Sequence, residues 1–369
     1  MAVNVAFDGP ALCVALENSF DFSSEAYHEL LDASSSTVFQ TPAWLASFYA
    51  TLVDALSLEP VIVTLRNHDG ALLGVLPCVR QNVKGIKIIQ PADMGVSDYN
   101  SIVVRDDALS MIKADQEAQK KIIQALAPFD VFFFRKQRSD TPRIEDILPG
   151  GAISRNDYSA HAVDLDSNYD AWALNKLSAN FRQSNRRKFK KLIAAYGDYK
   201  FENVTDEAKI TEALTFIRDH RSARFDKDIL RQPCFFDFYL KLAINNADTG
   251  FAQTSISTIN GEIVAAFFGL NHKGRHCYLL GGFIPEKYDA YSIGTLTMTD
   301  LIKDRIDHEF SVFDFALGDE SYKERFGAVS TGISNTVYAK SAPGKLISYI
   351  YKNAKPLKNC LKSFDSKLH

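Results

Sequence analysis

The sequence has little of what would tie it to a metal, a disulfide framework or a membrane. Its five cysteines, Cys13, Cys78, Cys234, Cys277 and Cys360, lie far apart with no Cys-x-x-Cys pair. That usage fits reduced core thiols and excludes a stapled fold or a cysteine zinc site. The eight histidines show no His-Glu-x-x-His spacing, so no metal is expected. No run of about 18 apolar residues occurs, and no transmembrane helix is expected. The first ten residues, from Met1 to Pro10, hold neither a basic nor a sustained apolar region. A secretory signal is therefore not expected, and the cytoplasm is the expected compartment. Net charge is only −3, so attraction to nucleic acid or anionic lipid must come from a local patch.

What is there is a globular composition, 46% hydrophobic and 24% charged over 369 residues, long enough for roughly two domains. In the first half, Val3–Phe7 and Leu12–Leu16 read as short strands, and Ser24–Ala33 and Pro42–Leu56 as helices. Glu59–Arg66 and Ala71–Arg80 flank the turn Asn67-His-Asp-Gly70 and predict a hairpin. Ile86–Gln90 reads as a further strand. A helix over Leu109–Leu126 and a strand over Asp130–Arg135 follow, and Gln137–Asn156, with two prolines and Gly150-Gly151, reads as a connector.

The second half falls into a recognisable order. Tyr199–Val204 is strand-like; Asp206–Arg221 and Pro233–Asn245 are helical. The strands Phe251–Ile259, Glu262–Asn271 and Arg275–Phe283 are joined by Asn260-Gly261 and Lys273-Gly274, both hairpin-turn dipeptides. A helix over Ser292–Asp307, a strand over Val312–Phe315, a short helix over Tyr322–Phe326 and a strand over Ile333–Ala339 complete it. This β-α-α-β-β-β-α-β-α-β order is that of GNAT acyltransferases. The first half has a similar meander flanked by helices. The expected fold is therefore mixed α/β (α+β), two tandem GNAT-type units with mostly antiparallel sheets. The expected division is 1–155, 156–345 and a basic tail, 346–369.

Two stretches could carry chemistry. Ser292-Ile293-Gly294-Thr295 opens a helix, where backbone N–H groups and the helix dipole suit a pyrophosphate such as that of coenzyme A. Ser292 is the candidate cap and Gly294 leaves room for a ligand; an ordinary capped helix is the alternative. In Val312–Gly327, Phe313 and Phe315 share one strand face and Asp314 the other. Gly318 then turns the chain and delivers Asp319, Glu320, Tyr322 and Lys323. Acyl transfer needs a base beside the nucleophile and a donor for the departing thiolate, which a carboxylate and a tyrosine supply; an exposed charged turn would look the same.

The stretch Phe313-Asp-Phe-Ala-Leu-Gly-Asp-Glu-Ser-Tyr-Lys-Glu-Arg-Phe326 resembles the signature of CelD-like GNAT acyltransferases, associated with bacterial cellulose and exopolysaccharide clusters. These are distantly similar to Fem-type peptidoglycan aminoacyl transferases. Gln40-Thr-Pro-Ala-Trp44, Asp98-Tyr99, Trp172, His220-x-x-x-Arg224 and Tyr288-x-x-Tyr-Ser-x-Gly294 extend the resemblance over about residues 38 to 340. Ile293 departs from the proline usual there. The resemblance implies transfer of an acyl group from acyl-CoA to an amino or hydroxyl group of a sugar or glycan precursor. For that reaction, side-chain chemistry and placement make Asp319 or Asp314 the expected base, Tyr322 the acid and Lys323 a stabiliser of negative charge, with Glu320 a candidate for the acceptor.

The segment Lys176–Lys191 holds seven Lys/Arg and no acid. A solvated face is one reading. A bound anion is the other, with Arg182, Arg186 and Arg187 as its ligands, since like charges at i,i+4 otherwise repel. Asp98, Tyr99, His220 and Arg224 are candidate acceptor-site residues. Two alternatives to acyl-CoA chemistry stay open: an aminoacyl-tRNA donor, and a non-catalytic glycan-binding subunit. DNA is not an expected partner, while the basic tail could touch an anionic membrane.

Overall fold

The computed structural model describes residues 12–17, 19–224 and 227–353. They form two compact units. One takes the described residues up to Arg155 and those from Ser334 onward; the other is Asn156–Ile333. The strand expected at Val3–Phe7 and the tail beyond Asn353 lie outside the described residues.

The first unit runs β1 (Cys13–Glu17), α1 (Glu25–Asp32), α2 (Pro42–Ala55), β2 (Glu59–Arg66), β3 (Leu72–Val83), β4 (Ile86–Pro91), β5 (Val103–Val104), α3 (Leu109–Ala114), α4 (Gln116–Leu126), β6 (Val131–Arg138) and β7 (Ala152–Arg155). The expected β2–β3 hairpin is closed by Asn67, whose side-chain oxygen accepts the Ala71 N–H at 2.8 Å, and by Gly70 at φ +85°. The helix expected over Leu109–Leu126 breaks at Asp115. Its carboxylate accepts the Ala118 N–H at 2.9 Å and caps α4. Val63 and Leu65 of β2, Leu76 of β3, Phe132 and Phe134 of β6 and Ile122 of α4 share one buried cluster.

The segment read as a connector contains β7. It pairs antiparallel with β15 (Ile333–Ala339), Ser334 facing Arg155, and β15 lies next to β6. The strand expected to close the second half therefore completes the first unit's sheet, and the second unit ends at Ile333 instead of 345. The physical reason is the edge that β7 offers, which local patterning cannot reveal. After it, α12 (Ala342–Asn353) packs Ile347 and Tyr351 on Val131, Phe133 and Val337, leaving Leu346 and Tyr349 exposed.

The second unit runs β8 (Ala160–Asp164), α5 (Tyr169–Lys176), α6 (Ala179–Tyr196), β9 (Tyr199–Val204), α7 (Glu207–Arg224), α8 (Pro233–Asn245), β10 (Ala252–Ile259), β11 (Glu262–His272), β12 (Arg275–Phe283), α9 (Pro285–Tyr288), α10 (Ile293–Asp307), β13 (Val312–Leu317), α11 (Ser321–Arg325) and β14 (Val329–Thr331). Its sheet has the order β14-β8-β13-β12-β11-β10-β9. Asn260-Gly261 and Lys273-Gly274 all have positive φ, the type I′ geometry that matches strand twist. Phe313 and Phe315 of β13 bury against Met298 and Leu301 of α10 and Trp172 of α5. At Gly282 of β12, α7 comes so close that a Cβ would stand 2.9 Å from the Ile217 Cα.

Both units repeat one device: an antiparallel three-strand meander, then helix, then a strand parallel to the last of the meander. In the first unit β4 and β6 pair parallel at Ile88↔Val131 and Ile89↔Phe132; in the second the pair is β12 and β13. The fold is thus mixed α/β with two mostly antiparallel sheets flanked by helices.

Candidate active site

The parallel contact between β12 and β13 covers only Arg275↔Val312, His276↔Phe313 and Cys277↔Asp314. Beyond it β12 continues to Phe283 and β13 to Leu317 without pairing each other, so the sheet opens as a wedge at their carboxyl ends. That is where parallel strands present ligand sites in α/β folds. Each wall carries an irregularity. On β12, Phe268 pairs Leu280 and Gly269 pairs Tyr278, so Leu279 is a bulge without a partner on β11. On β13, the pairing with β8 skips from Asp314 to Leu317. Bulges of this kind re-aim backbone groups and gather at active sites.

Asp314 explains the second irregularity. Its side chain is fully buried, one oxygen accepting the Ala316 N–H at 2.8 Å and the other an Arg275 N–H at 3.0 Å. Ala316 has φ +59°, a conformation costly for a side chain with a Cβ, and the Asp314 bond holds it there. Expected as a base, Asp314 has the geometry of a scaffold residue.

Gly318 turns the chain at φ +107°, which only glycine adopts freely. Lys323, expected to stabilise reaction charge, is buried. Its ammonium donates to the Leu317 and Gly318 carbonyls at 2.6 and 2.9 Å and pairs with Glu320 at 2.9 Å. Lys323 and Glu320 therefore fasten the exit turn. Tyr322 is half-buried and meets the Phe315 ring edge-on, centroids 6.1 Å apart.

Asp319 is exposed and takes no part in fastening that turn. One carboxylate oxygen accepts the Ser159 N–H at 3.1 Å and lies 2.8 Å from Nε2 of His161; the other has no partner among the described residues. The hydrogen bond with His161, foremost, holds the Asp319 carboxyl below the usual carboxylate range. His161 itself is buried, and its Nδ1 has no hydrogen-bond partner.

The opposite wall leads through α9 to the N-terminus of α10. Ser292 does not cap it. Its backbone is left-handed at φ 53°, its carbonyl accepts the Thr295 and Leu296 N–H groups, and its hydroxyl accepts from the Lys188 ammonium at 2.6 Å. The N–H groups of Ile293 and Gly294 have no partner among the described residues. Gly294 lets α10 approach β12, since a Cβ would stand 3.0 Å from the Phe283 ring. Two open donors at the positive end of a 15-residue helix, with Lys188 close by, form a ready anion site.

The remaining expectations divide. Arg182 donates to the Ala173 and Leu177 carbonyls and so caps the end of α5, which accounts for its charge without a ligand. Arg186 and Arg187 are exposed and make no hydrogen bond or ion pair with other described residues. His220 stacks on Phe216 with centroids 3.9 Å apart, and its Cβ lies beside Gly282 on the other wall of β12. The side chain of Arg224 lies outside the described residues. Asp98 and Tyr99 belong to the first unit. There Tyr99 is buried, edge-on to Phe39 and under the Arg138 guanidinium at 4.8 Å, a packing role. His161 was missed by the sequence reading, because β8 is short and its partner lies 158 residues away.

Residues 179–324 match the family model described as acetyltransferase (GNAT) domain. The match runs from α6 into α11 and takes in Asp319, though not His161. No curated protein matches the sequence significantly. Among solved structures, FemX superposes with a TM-score of 0.62 at 12% identity, over 87% of this chain and 97% of that one. A conserved protein of unknown function from Bacteroides thetaiotaomicron gives 0.54 at 13%, over 89% and 100%. L-PGS from Bacillus licheniformis gives 0.53 at 13%, over 91% and 97%. At such identities the likeness is one of fold, which is tandem GNAT-like. No described helix is long and apolar enough to cross a membrane.

Proposed function

We propose that the second unit transfers an acyl group from acyl-CoA to an amino or hydroxyl group of a sugar or polysaccharide precursor. The observation that carries this reading is the wedge: an open anion site and a partly exposed carboxylate stand at the carboxyl ends of the two strands that part. In it the coenzyme A pyrophosphate binds the Ile293 and Gly294 N–H groups, beside Ser292 and Thr295, with Lys188 adding charge. The acyl-pantetheine arm enters between β12 and β13, and the bulge at Leu279 supplies a donor to the thioester oxygen as it becomes anionic. The acceptor nitrogen or oxygen attacks the carbonyl carbon, its proton passes to the free oxygen of Asp319, and the carbon–sulfur bond breaks. Tyr322 protonates the departing thiolate. A carboxylate held low is a weak base, so Asp319 gains strength only when bound substrate excludes water from it. His161 holds it in position. The CelD-like motif from Phe313 to Phe326 supports a glycan acceptor, His220 lies on a wall it would touch, and exopolysaccharide synthesis is the corresponding setting.

The test is thermal unfolding with and without coenzyme A, acetyl-CoA and longer acyl-CoAs. A ligand at about 100 times its dissociation constant adds roughly 2.7 kcal/mol, a rise of several degrees in the midpoint. A rise that grows with one acyl chain supports the reading, while none at millimolar ligand overturns it.

A second reading keeps the wedge and changes the donor to an aminoacyl-tRNA. Arg187, Lys190 and Lys191, all exposed on α6, together with the fold likeness to FemX, favour it. Binding of that donor would weaken steeply with salt.

A further inference from the structure

Between α5, α6 and α10 lies an open cavity of about 370 Å³. That volume is at the small end of the ~300–1,000 Å³ typical of ligand pockets. It admits a molecule the size of an amino acid and is too small for a nucleotide cofactor. Neither the transfer chemistry proposed above nor the anion site at Ile293 and Gly294 uses it.

Its lining is unusual in charge. Arg186 of α6 and Asp170 of α5 face the same space as Asp300 of α10, yet neither forms a hydrogen bond or ion pair with another described residue. Asp300 commits one oxygen to the Tyr199 hydroxyl at 2.5 Å and leaves the other open. The Tyr169 hydroxyl stands within electrostatic reach of all three: burial, foremost, pushes its proton affinity up, both carboxylates add to that, and Arg186 opposes it. A cation and two carboxylates round one tyrosine would gain by closing into ion pairs if their side chains could meet. They stay apart across a cavity whose wall also holds Arg182, spent on the Ala173 and Leu177 carbonyls, and the polar Asn185 and Thr299. The rest of the wall is the apolar Ala173, Leu177 and Leu296, with Leu174 66% and Phe189 40% exposed.

We infer that this cavity binds a zwitterionic small molecule of the α-amino acid class with an apolar side chain. The ligand carboxylate lies on Arg186, a fork suited to bidentate carboxylate recognition. The ammonium lies between Asp170 and the open oxygen of Asp300, and the side chain covers Leu174 and Phe189. This arrangement gives each unpaired charge its counterpart and removes two exposed apolar groups from water. It does not depend on the acyl-transfer reading.

Affinity should also follow pH. Burial raises the Asp300 carboxyl to about 6, against the opposing Tyr199 hydrogen bond and the Lys303 charge. Tyr169 and Asp170 on α5, Arg186 on α6 and Tyr199 on β9 are the other groups that face it. Protonation below about pH 6 removes one of the two charges that hold the ammonium.

Isothermal titration of the full chain at pH 7.5 with L-leucine and L-phenylalanine tests this, alongside 3-methylbutylamine, phenethylamine, 4-methylpentanoate and 3-phenylpropanoate. The expected result is binding of at least one amino acid, with the analogues lacking one charge weaker by about tenfold or more. Arg186→Gln should abolish it, and this exposed residue can change without harm to the fold. Asp300→Asn should weaken it and remove the pH dependence. Failure of every amino acid to bind at millimolar concentration overturns the inference. So does equal binding of the singly charged analogues, or binding indifferent to Arg186→Gln.

Discussion

Arg275 Nη1 lies 3.0 Å from Asp314 Oδ2, and this ion pair spans the three-residue stretch over which β12 and β13 run side by side before they part. It is a clasp at the apex of the wedge. Removing one partner of a buried pair costs about 3–5 kcal/mol, less where the survivor reaches water, and the Arg275 side chain is 35% exposed. Asp314→Asn should therefore destabilise the second unit by about 1–3 kcal/mol while leaving most transfer activity in the folded protein. Urea unfolding and steady-state rates check both. A variant as stable as the parent but inactive would make Asp314 the base.

Asp319 differs in that its carboxylate is half exposed and holds one open oxygen. Asp319→Asn keeps the Ser159 contact and loses the charge. Transfer should fall by about 10²–10⁴-fold, the usual worth of a positioned acid or base, with little change in the unfolding midpoint. The pH sign follows from the lowered carboxyl. A group with a depressed folded pKa stabilises above its unfolded value, near 3.9, and loses that contribution as pH falls through the folded one. Asp319 should thus leave stability flat between neutral and mildly acid pH and matter only in strong acid. A parent-minus-variant difference already changing between pH 7 and 5 would contradict this.

Much of the second unit was legible because its signals are local. Asn260-Gly261 and Lys273-Gly274 encode positive φ at two successive residues, and the strands they join follow at once. The alternation Phe313-Asp314-Phe315 correctly separated two faces of β13. What alternation could not say was that the face with Asp314 also carries Arg275, the ion-pair partner that buries with it. Nor could it say which carbonyls Arg182 serves, since only the turn after α5 shows them. The sheet that β15 joins and the pairing of His161 were illegible for one reason, although β15 itself was read as a strand: each takes its meaning from a strand far off in the chain, and sheet pairing at that range leaves no periodic trace.

Gly282 tests how the wall of the wedge is set. A Cβ there would meet the Ile217 backbone at 2.9 Å and the His220 Cβ at 3.3 Å, and a helix backbone yields less readily than a side chain. Gly282→Ala should cost about 1–3 kcal/mol as overpacking does, a fall of about 2–4 °C in midpoint per kcal/mol for a unit of this size. By pushing α7 from β12 it should also weaken binding to the wedge. Calorimetry and coenzyme A titration read the two effects, and an unchanged midpoint would mean that α7 can shift freely.

The Asp300 carboxyl gives a pH signature of the opposite sign. Burial lifts it from the ordinary 3.8 to about 6, so between those values the folded chain binds more proton than the unfolded one. Stability must then fall as pH rises through that window, where an ordinary lowered carboxyl would have it rise. Two pKa units correspond to about 3 kcal/mol at most, an upper bound because the residue is only partly buried. Asp300→Asn keeps an oxygen for the Tyr199 hydroxyl and removes the buried charge. It should stabilise the protein by about 1–3 kcal/mol at pH 7.5 and by almost nothing at pH 3, below the unfolded value. Denaturant titrations of parent and variant at the two pH values decide it: equal gains at both would place the effect in packing, whereas a gain confined to the higher pH assigns it to the ionised carboxylate that faces the cavity between α5, α6 and α10.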